Sequence, residues 1–293
     1  MMSATPRCLL AVGSLHHDLM IDAPHLPRRG ETVTGYRWYP KFGGKGGNQA
    51  VAAARAGCSV RMLGAVGDDD FAALLRATLE REHIDTCRVA TLPDRPTGMS
   101  VAISDAQGDY GAVIVSGANL AIDAGQLADE ALWDGVGWLL LQNEVEPELN
   151  LAAAREAARR AVPVCLNAAP ARDLDEALGA LIDVLIVNAL EAGALCGRPV
   201  DGAADGLAAA MALAATFRTV IVTLGGAGVV VVTRNASARH LPAVPIQVHS
   251  THGAGDTFTG VLCAGLLSGQ DIDTAVRAAN ALAARHVAGE SVA

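Results

Sequence analysis

From residue 138 onward the chain alternates short, unbroken apolar runs with longer amphipathic ones, and this alternation restricts the fold more than any other feature. Trp138–Gln142, Val162–Leu166 and Val184–Val187 read as strands with no polar face, and Leu149–Ala161 reads as a helix between the first two. A strand without a polar face is buried on both sides, which calls for a parallel sheet covered by helices above and below. Val220–Thr223 and Val229–Val232 follow, joined by a glycine-rich turn, and helices at roughly Gly255–Ser268 and Thr274–His286 close the sequence. Upstream, Cys8–Val12 and Ser59–Leu63 read as strands. Gly46–Ala56, closed by Gly57, and Phe71–Glu82 read as helices. The expected fold is therefore α/β, with a mostly parallel central sheet flanked by helices. Two stretches, 18–41 and 97–117, break the pattern: they are rich in turn residues and alternate polar with apolar. Met99–Ser104 and Tyr110–Ser116 flank a Gln107-Gly108-Asp109 turn, which signals a hairpin. These stretches are expected to form a small accessory sheet over the site. That gives one domain over 1–293, with lid strands inserted at about 14–41 and 97–117.

The fraction of hydrophobic residues, 51%, is enough for a large core, and the formal net charge of −9 argues against a nucleic-acid surface or an anionic membrane. A nucleotide remains possible, because backbone amides bind phosphate without net positive charge. The six cysteines form no C-x-x-C pair and no zinc-like spacing with histidine. The start lacks the basic flank and long apolar core of a signal peptide, and no apolar span reaches transmembrane length. A reduced, cytoplasmic protein is expected.

The run Gly253-Ala254-Gly255-Asp256-Thr257-Phe258-Thr259-Gly260 leads into an apolar helix. Small residues at a helix start let N–H groups converge on an anion, aided by the positive end of the helix. Asp256 would repel a bound phosphate unless it had a task there, and the natural task is to accept a proton from an attacking hydroxyl. Phosphoryl transfer to an alcohol is the first reading.

Other motifs are less specific. Gly43-Gly44-Lys45-Gly46-Gly47-Asn48-Gln49 is not a Walker loop, since Gly46 follows the lysine. Its glycines suggest close approach of backbone to a small polar ligand, with Lys45 and Asn48 bonding hydroxyls. Asn188…Glu191 matches a capping box, and it also stands where a strand's carboxyl end could meet hydrated Mg²⁺. The turn Thr223-Leu224-Gly225-Gly226-Ala227-Gly228 needs no function, but its backbone could line a nucleotide pocket. Asp18 and Glu144 each lie just past an apolar run, and His16 and His17 adjoin Asp18.

Taken together, these pieces resemble the ribokinase family of carbohydrate kinases, also called the PfkB family, over nearly the whole chain. The N-terminal signature is matched by Gly13-Ser14…Asp18, by Pro27 through Gly35, and by Phe42-Gly43-Gly44-Lys45-Gly46-Gly47-Asn48-Gln49-Ala50. Gly117-Ala118-Asn119, Asn167-Ala168-Ala169-Pro170-Ala171, Asn188…Glu191 and Thr223-Leu224-Gly225 resemble the middle landmarks, in the same order. Ser250 through Gly260 resembles the C-terminal signature.

The resemblance implies a Rossmann-like ribokinase fold with a small β-sheet lid, often a dimer interface. It also implies ATP-dependent phosphorylation of a hydroxymethyl group on ribose, a related sugar or a nucleoside. Carried over residue by residue, Asp256 is the base, and the amides of Gly253, Ala254 and Gly255 form the anion hole. Asp18, Gly44, Lys45, Asn48 and Glu144 hold sugar hydroxyls. Asn188 and Glu191 organise Mg²⁺ through water, Thr223, Gly225 and Gly228 line the nucleotide, and Asn280 lies near the adenine. His16 stands where ribokinases usually carry Asn, so one substrate contact changes. Ser250 stands where an Asp usually helps to hold a monovalent cation, and the sequence stops at Ala293, short of the segment that completes that cation site. K⁺ activation of the ribokinase kind is therefore not expected. The alternative to a kinase is a non-catalytic sugar- or nucleoside-binding protein that kept the fold.

Overall fold

The computed structural model describes residues 7–105, 110–236 and 238–290. In chain order its elements are β1 (Cys8–Val12), β2 (His16–Asp22), β3 (Arg37–Gly43), α1 (Lys45–Arg55), β4 (Ser59–Gly67), α2 (Asp70–Arg81), β5 (Asp85–Leu92), β6 (Met99–Ser104) and β7 (Tyr110–Val115). There follow α3 (Glu130–Trp133), β8 (Val136–Gln142), α4 (Pro147–Arg159), β9 (Val164–Asn167), α5 (Glu176–Gly179), β10 (Val184–Asn188), α6 (Ala189–Cys196) and α7 (Gly202–Leu213). The last are β11 (Thr219–Thr223), β12 (Val229–Thr233), β13 (Arg239–Leu241), α8 (Ala254–Leu267) and α9 (Ile272–Val287).

The large sheet has nine strands in the order β13-β12-β11-β10-β9-β8-β1-β4-β5. From β5 to β11 every pairing is parallel, and only the β11–β12 and β12–β13 pairings are antiparallel. Neighbouring residues of one strand feed opposite cores, because successive side chains alternate across a sheet. Leu10, Val12, Leu139 and Leu141 join α4 and α7 on one face. Leu9, Ala11 and Leu140 join α1, α2, α8 and α9 on the other. This double burial is the physical content of the solid apolar runs.

The chain leaves β1 for β4 on one side and later returns to β8 on the other. Beyond the carboxyl ends of strands that part in this way lies a crevice, where ligands of open α/β sheets bind. Over it lies a separate four-stranded sheet in the order β3-β2-β6-β7. Within the lid, β3 is an edge strand, which is why Pro40 is tolerated there. Strand β3 begins at Arg37, late in the 18–41 stretch. The expected Gln107-Gly108-Asp109 turn lies outside the described residues, although the β6–β7 pairing that flanks it is antiparallel.

Candidate active site

Two helix starts meet at this crevice. Helix α8 begins at Gly253, which adopts φ 82 and provides no side-chain cap. Gly260 lets α8 lie against α1: a Cβ there would come within 2.4 Å of Gln49 O and 2.6 Å of Ala52 Cβ. That close crossing brings the amide side chains of α1 to Asp256. Gln49 Nε2 donates to Asp256 Oδ1 at 2.9 Å, and Asn48 Nδ2 donates to Oδ2 at 3.2 Å. Gln49 is itself fully buried, and its Nε2 also lies 3.3 Å from Asn167 Oδ1 at the end of β9. Desolvation pushes the Asp256 carboxyl above the ordinary carboxylate range, opposed by the Lys45 ammonium and by these donors. The result is an oriented carboxylate with raised proton affinity. Ala254 N–H turns back to Thr251 O at 3.3 Å. Among the described residues nothing accepts from the amides of Gly255 and Asp256. Of the expected set, the amides of Gly253 and Gly255 are open, with that of Asp256 beside them, and Ala254 is taken.

Helix α1 is built differently. Its N-cap, Gly44, adopts φ 85 and offers no side chain, so the first amides are satisfied from elsewhere. Lys45 N–H donates to Glu144 Oε2 at 2.8 Å, Gly46 N–H to Ser14 Oγ at 3.3 Å, and Gly47 N–H to Ser14 O at 2.9 Å. Ser14 Oγ in turn donates to Glu144 Oε2 at 2.6 Å, tying the end of β1 to the loop after β8. A Cβ on Gly44 would lie 2.7 Å from Ser14 O, and one on Gly46 would lie 2.6 Å from Ser14 N. These glycines admit the protein's own backbone. Glu144 likewise commits Oε2 to the scaffold.

On the lid side, Asp18 Oδ1 accepts from Ser100 Oγ at 2.6 Å, and the missing side chain of Gly43 leaves room for the carboxylate. Burial raises the Asp18 pKa, opposed by Ser100 and His16. His16 is buried, with Nδ1 3.9 Å from Glu144 Oε2, and its Nε2 has no partner among the described residues. His17 instead stacks on Phe71, with ring centroids 4.3 Å apart. Asn119 holds the β1–β2 corner through Leu15 N and O, both at 2.9 Å.

Asp256 and Gly253 sit between two clefts. A lid-side cleft of about 230 Å³ is lined by Lys41, Asn48, His252 and His286 among others. A strand-end cleft of about 180 Å³ is lined by Lys45, Asn167, Asn188, Glu191, Thr223 and Gly255 among others. The structure therefore places Lys45 with Asn188 and Glu191 rather than with the lid. Asn188 and Glu191 form a complete capping box: Glu191 N–H donates to Asn188 Oδ1 at 2.9 Å, while Asn188 N and Nδ2 donate to the two Glu191 oxygens at 2.8 and 3.0 Å. Burial raises the Glu191 pKa, opposed by Asn188 and Lys45. Among the described residues no group of three or more His, Cys, Asp or Glu could hold a metal. One carboxylate with one amide is a donor set that fits a cation such as Mg²⁺ that keeps most of its waters.

Gly225, Gly228 and Asn280 are not brought into either cleft. A Cβ on Gly228 would lie 2.1 Å from Leu241 O, so the chain itself demands this glycine. Asn280 Nδ2 donates to Pro242 O at 3.1 Å, in the same segment. Gly225 remains open, with nothing near its Cβ position.

Residues 7–292 match the pfkB family carbohydrate kinase profile. The chain belongs to that family. It is 34% identical over 280 residues to a ribokinase of Haemophilus influenzae, covering 95% of this chain and 91% of the relative. It is 33% identical over 286 residues to a deoxyribokinase of Salmonella typhi, covering 96% and 93%. The structure of Arabidopsis thaliana ribokinase complexed with ribose and ATP superposes with a TM-score of 0.88 at 27% identity, covering 97% of this chain and 93% of that one. The expected α/β architecture with a small lid sheet is the fold found. As a family member the chain is an ATP-dependent sugar kinase.

Proposed function

We propose that the chain transfers the γ-phosphoryl group of ATP to the hydroxymethyl oxygen of a free pentose, ribose or a close relative. The observation that carries this is Asp256: a desolvated carboxylate, oriented by Gln49 and Asn48, on the same helix turn as the open Gly255 and Asp256 amides. The acceptor lies under the lid, with Asp18 available to its ring hydroxyls and Asn48 beside the reacting end. Asp256 accepts the hydroxyl proton as the oxygen attacks phosphorus. The open amides and Lys45 hold charge on the transferring group, and the lid excludes water. Glu191 and Asn188 would hold Mg²⁺ through its waters, and that ion supplies charge neutralisation on the phosphates.

Three further parts of the reading rest on specific features. Trp38, Tyr36, Val113 and Ile114 on the lid strands and their flank are more than half exposed, a surface suited to pairing two lids in a homodimer. A K⁺ requirement is left out, because Ser250 offers a neutral hydroxyl where the resemblance calls for a cation-holding carboxylate. A cytoplasmic location goes with ATP as donor and six free thiols. The non-catalytic alternative is disfavoured, since a binding protein gains nothing from a desolvated carboxylate beside an anion site.

The test is a coupled ADP-release assay with pentoses, hexoses and nucleosides, each with and without K⁺. Strong turnover with a free pentose, unchanged by K⁺, is expected. Tight sugar binding by calorimetry with no ADP release from any acceptor would overturn the kinase reading.

A further inference from the structure

The turn carrying the open amides has little to hold it locally. Gly253 has φ 82 and no side-chain cap acts on it, and glycine is the residue least able to keep one conformation unaided. What holds the turn comes from the last turn of α9. The amides of His249 and Ser250 donate to Val287 O. His286 Nε2 lies 2.9 Å from His252 O, across 34 residues of sequence. The same nitrogen would lie 3.2 Å from a Cβ on Gly253, so the ring also packs against the glycine.

We propose that His286 is a positioning residue for phosphoryl transfer: its Nε2–H donates to the His252 carbonyl and fixes the peptide plane that opens the anion-binding turn. In a trans peptide the carbonyl and the following N–H point in opposite directions. Holding His252 O toward α9 therefore aims Gly253 N–H to the other side. His286 lines the lid-side cleft and not the strand-end cleft, whereas Gly253 lines both. The amide is thus turned toward the side where Lys45, Asn188 and Glu191 stand. The acceptor is a carbonyl, so Nε2 carries its hydrogen whether the ring is neutral or protonated. The amides of Gly255 and Asp256 follow in the first turn of α8, which starts from that peptide. The inference rests on the kinase reading, in which this turn holds the phosphoryl group in flight.

The experiment compares wild type with His286→Leu, which keeps bulk without a donor, and His286→Gln, which returns an N–H at similar reach. Thermal melts establish that both variants fold. Amide hydrogen exchange at Ala254 and Thr257, whose N–H groups donate to Thr251 O and Gly253 O, reads the turn without turnover. His286→Leu should exchange faster there by about tenfold, the scale of one lost hydrogen bond, and His286→Gln should recover most of the protection. In steady-state kinetics, kcat of His286→Leu should fall by about tenfold, with KM for the acceptor changed less than about twofold, and His286→Gln should regain most of kcat. Wild-type exchange in His286→Leu, or equal losses in both variants, would overturn the proposal. A wild-type enzyme that released no ADP would sink the kinase reading alone, and the exchange comparison would still decide the role of His286 in the turn.

Discussion

The two glycine-rich helix starts that meet at Asp256 look alike in sequence and differ in what fills them. At α1 the first amides are occupied by Ser14 and Glu144, and the glycines let the β1 corner come within contact of the helix. At α8 the Gly255 and Asp256 amides find no acceptor among the described residues, and a Cβ on Gly255 would meet nothing within 4 Å. A glycine run before a helix therefore has two physical meanings. One is close packing of the protein on itself, and the other is room for a ligand. The difference shows only when the third dimension supplies, or withholds, a capping group. Together the two starts divide the labour: α1 is a fixed platform for Asn48 and Gln49, and α8 presents the base beside an open anion site.

The largest break in this comparison comes from Asp256→Asn. It leaves the shape of the α8 start intact and removes the proton acceptor. We expect kcat to fall by about 10²-fold or more, the scale of a lost general base, while calorimetry still detects the acceptor sugar. The wild-type rate should decline as pH falls through the Asp256 pKa, which burial lifts above the ordinary carboxylate range. The variant should lose that limb of the profile. Turnover near wild type would remove Asp256 from the base role.

The next effect is on stability and separates the two glycine runs directly. In Gly46→Ala the new methyl meets backbone, Ser14 N at 2.6 Å and Gly13 C at 2.7 Å, neither of which can swing aside. A loss of about 1–3 kcal/mol is expected, the usual cost of overpacking. In Gly255→Ala the methyl enters open space in the first turn of α8, where alanine is the better helix former by up to about 1 kcal/mol. Urea midpoints should therefore fall for Gly46→Ala and hold or rise for Gly255→Ala. Activity of Gly255→Ala should still drop by about tenfold, because the methyl stands over the open amides. Equal midpoints for the two variants would erase the distinction drawn between the runs.

How far the sequence could carry this reading follows from the same physics. The strands β1, β8, β10 and β11 were legible because double burial leaves an unbroken apolar run, and most of the site lies within a few residues of where such a run ends. Asp18 and Glu144 became candidates that way, and Asp256 and Asn48 through the glycine-rich runs that lead into helices. Strand β5 was missed because it is a half-buried edge strand that carries Asp85 and Arg88. Gln49 and Asn167 were quoted in motifs but given no role, since an uncharged amide shows no chemistry until its partner across the fold is known. Ser14 stood in a motif without a role for the same reason, Lys41 was missed, and His286 looked like an ordinary helix-end residue. At Gly228 and Asn280 the sequence did not show the contacts within the chain, which go to Leu241 and Pro242. Patterns of burial are written locally, whereas hydrogen-bond partners more than 100 residues away, as for Ser14 with Glu144, are not.

The smallest expected effect sharpens the picture of the α8 start through its pH dependence, where two neighbours pull in opposite directions. His252 has its pKa pushed down from 6.5 to about 4, first by burial and then by Lys41, Lys45 and His286. Its neutral ring contributes stability that is present above pH 6.5 and is lost as pH falls toward about 4, because the unfolded chain takes up the proton first. Asp256 has the opposite sign: its pKa is raised on folding, so its contribution is present below the ordinary carboxylate range and is lost as pH rises through the raised value. Between pH 7.5 and about 5, wild type should therefore lose more stability than His252→Gln, as read from urea midpoints at the two values. His252 is only partly shielded from water, so solvent screening keeps the difference below a unit-for-unit conversion of the shift. Asp256→Asn should move the other way and steepen the acid-side decline, since it removes the group that acid favours in the folded state. If His252→Gln and wild type declined in parallel, the ring would have to be in water rather than packed in the cleft beside Gly253, and the tight geometry assigned to this turn would fail with it.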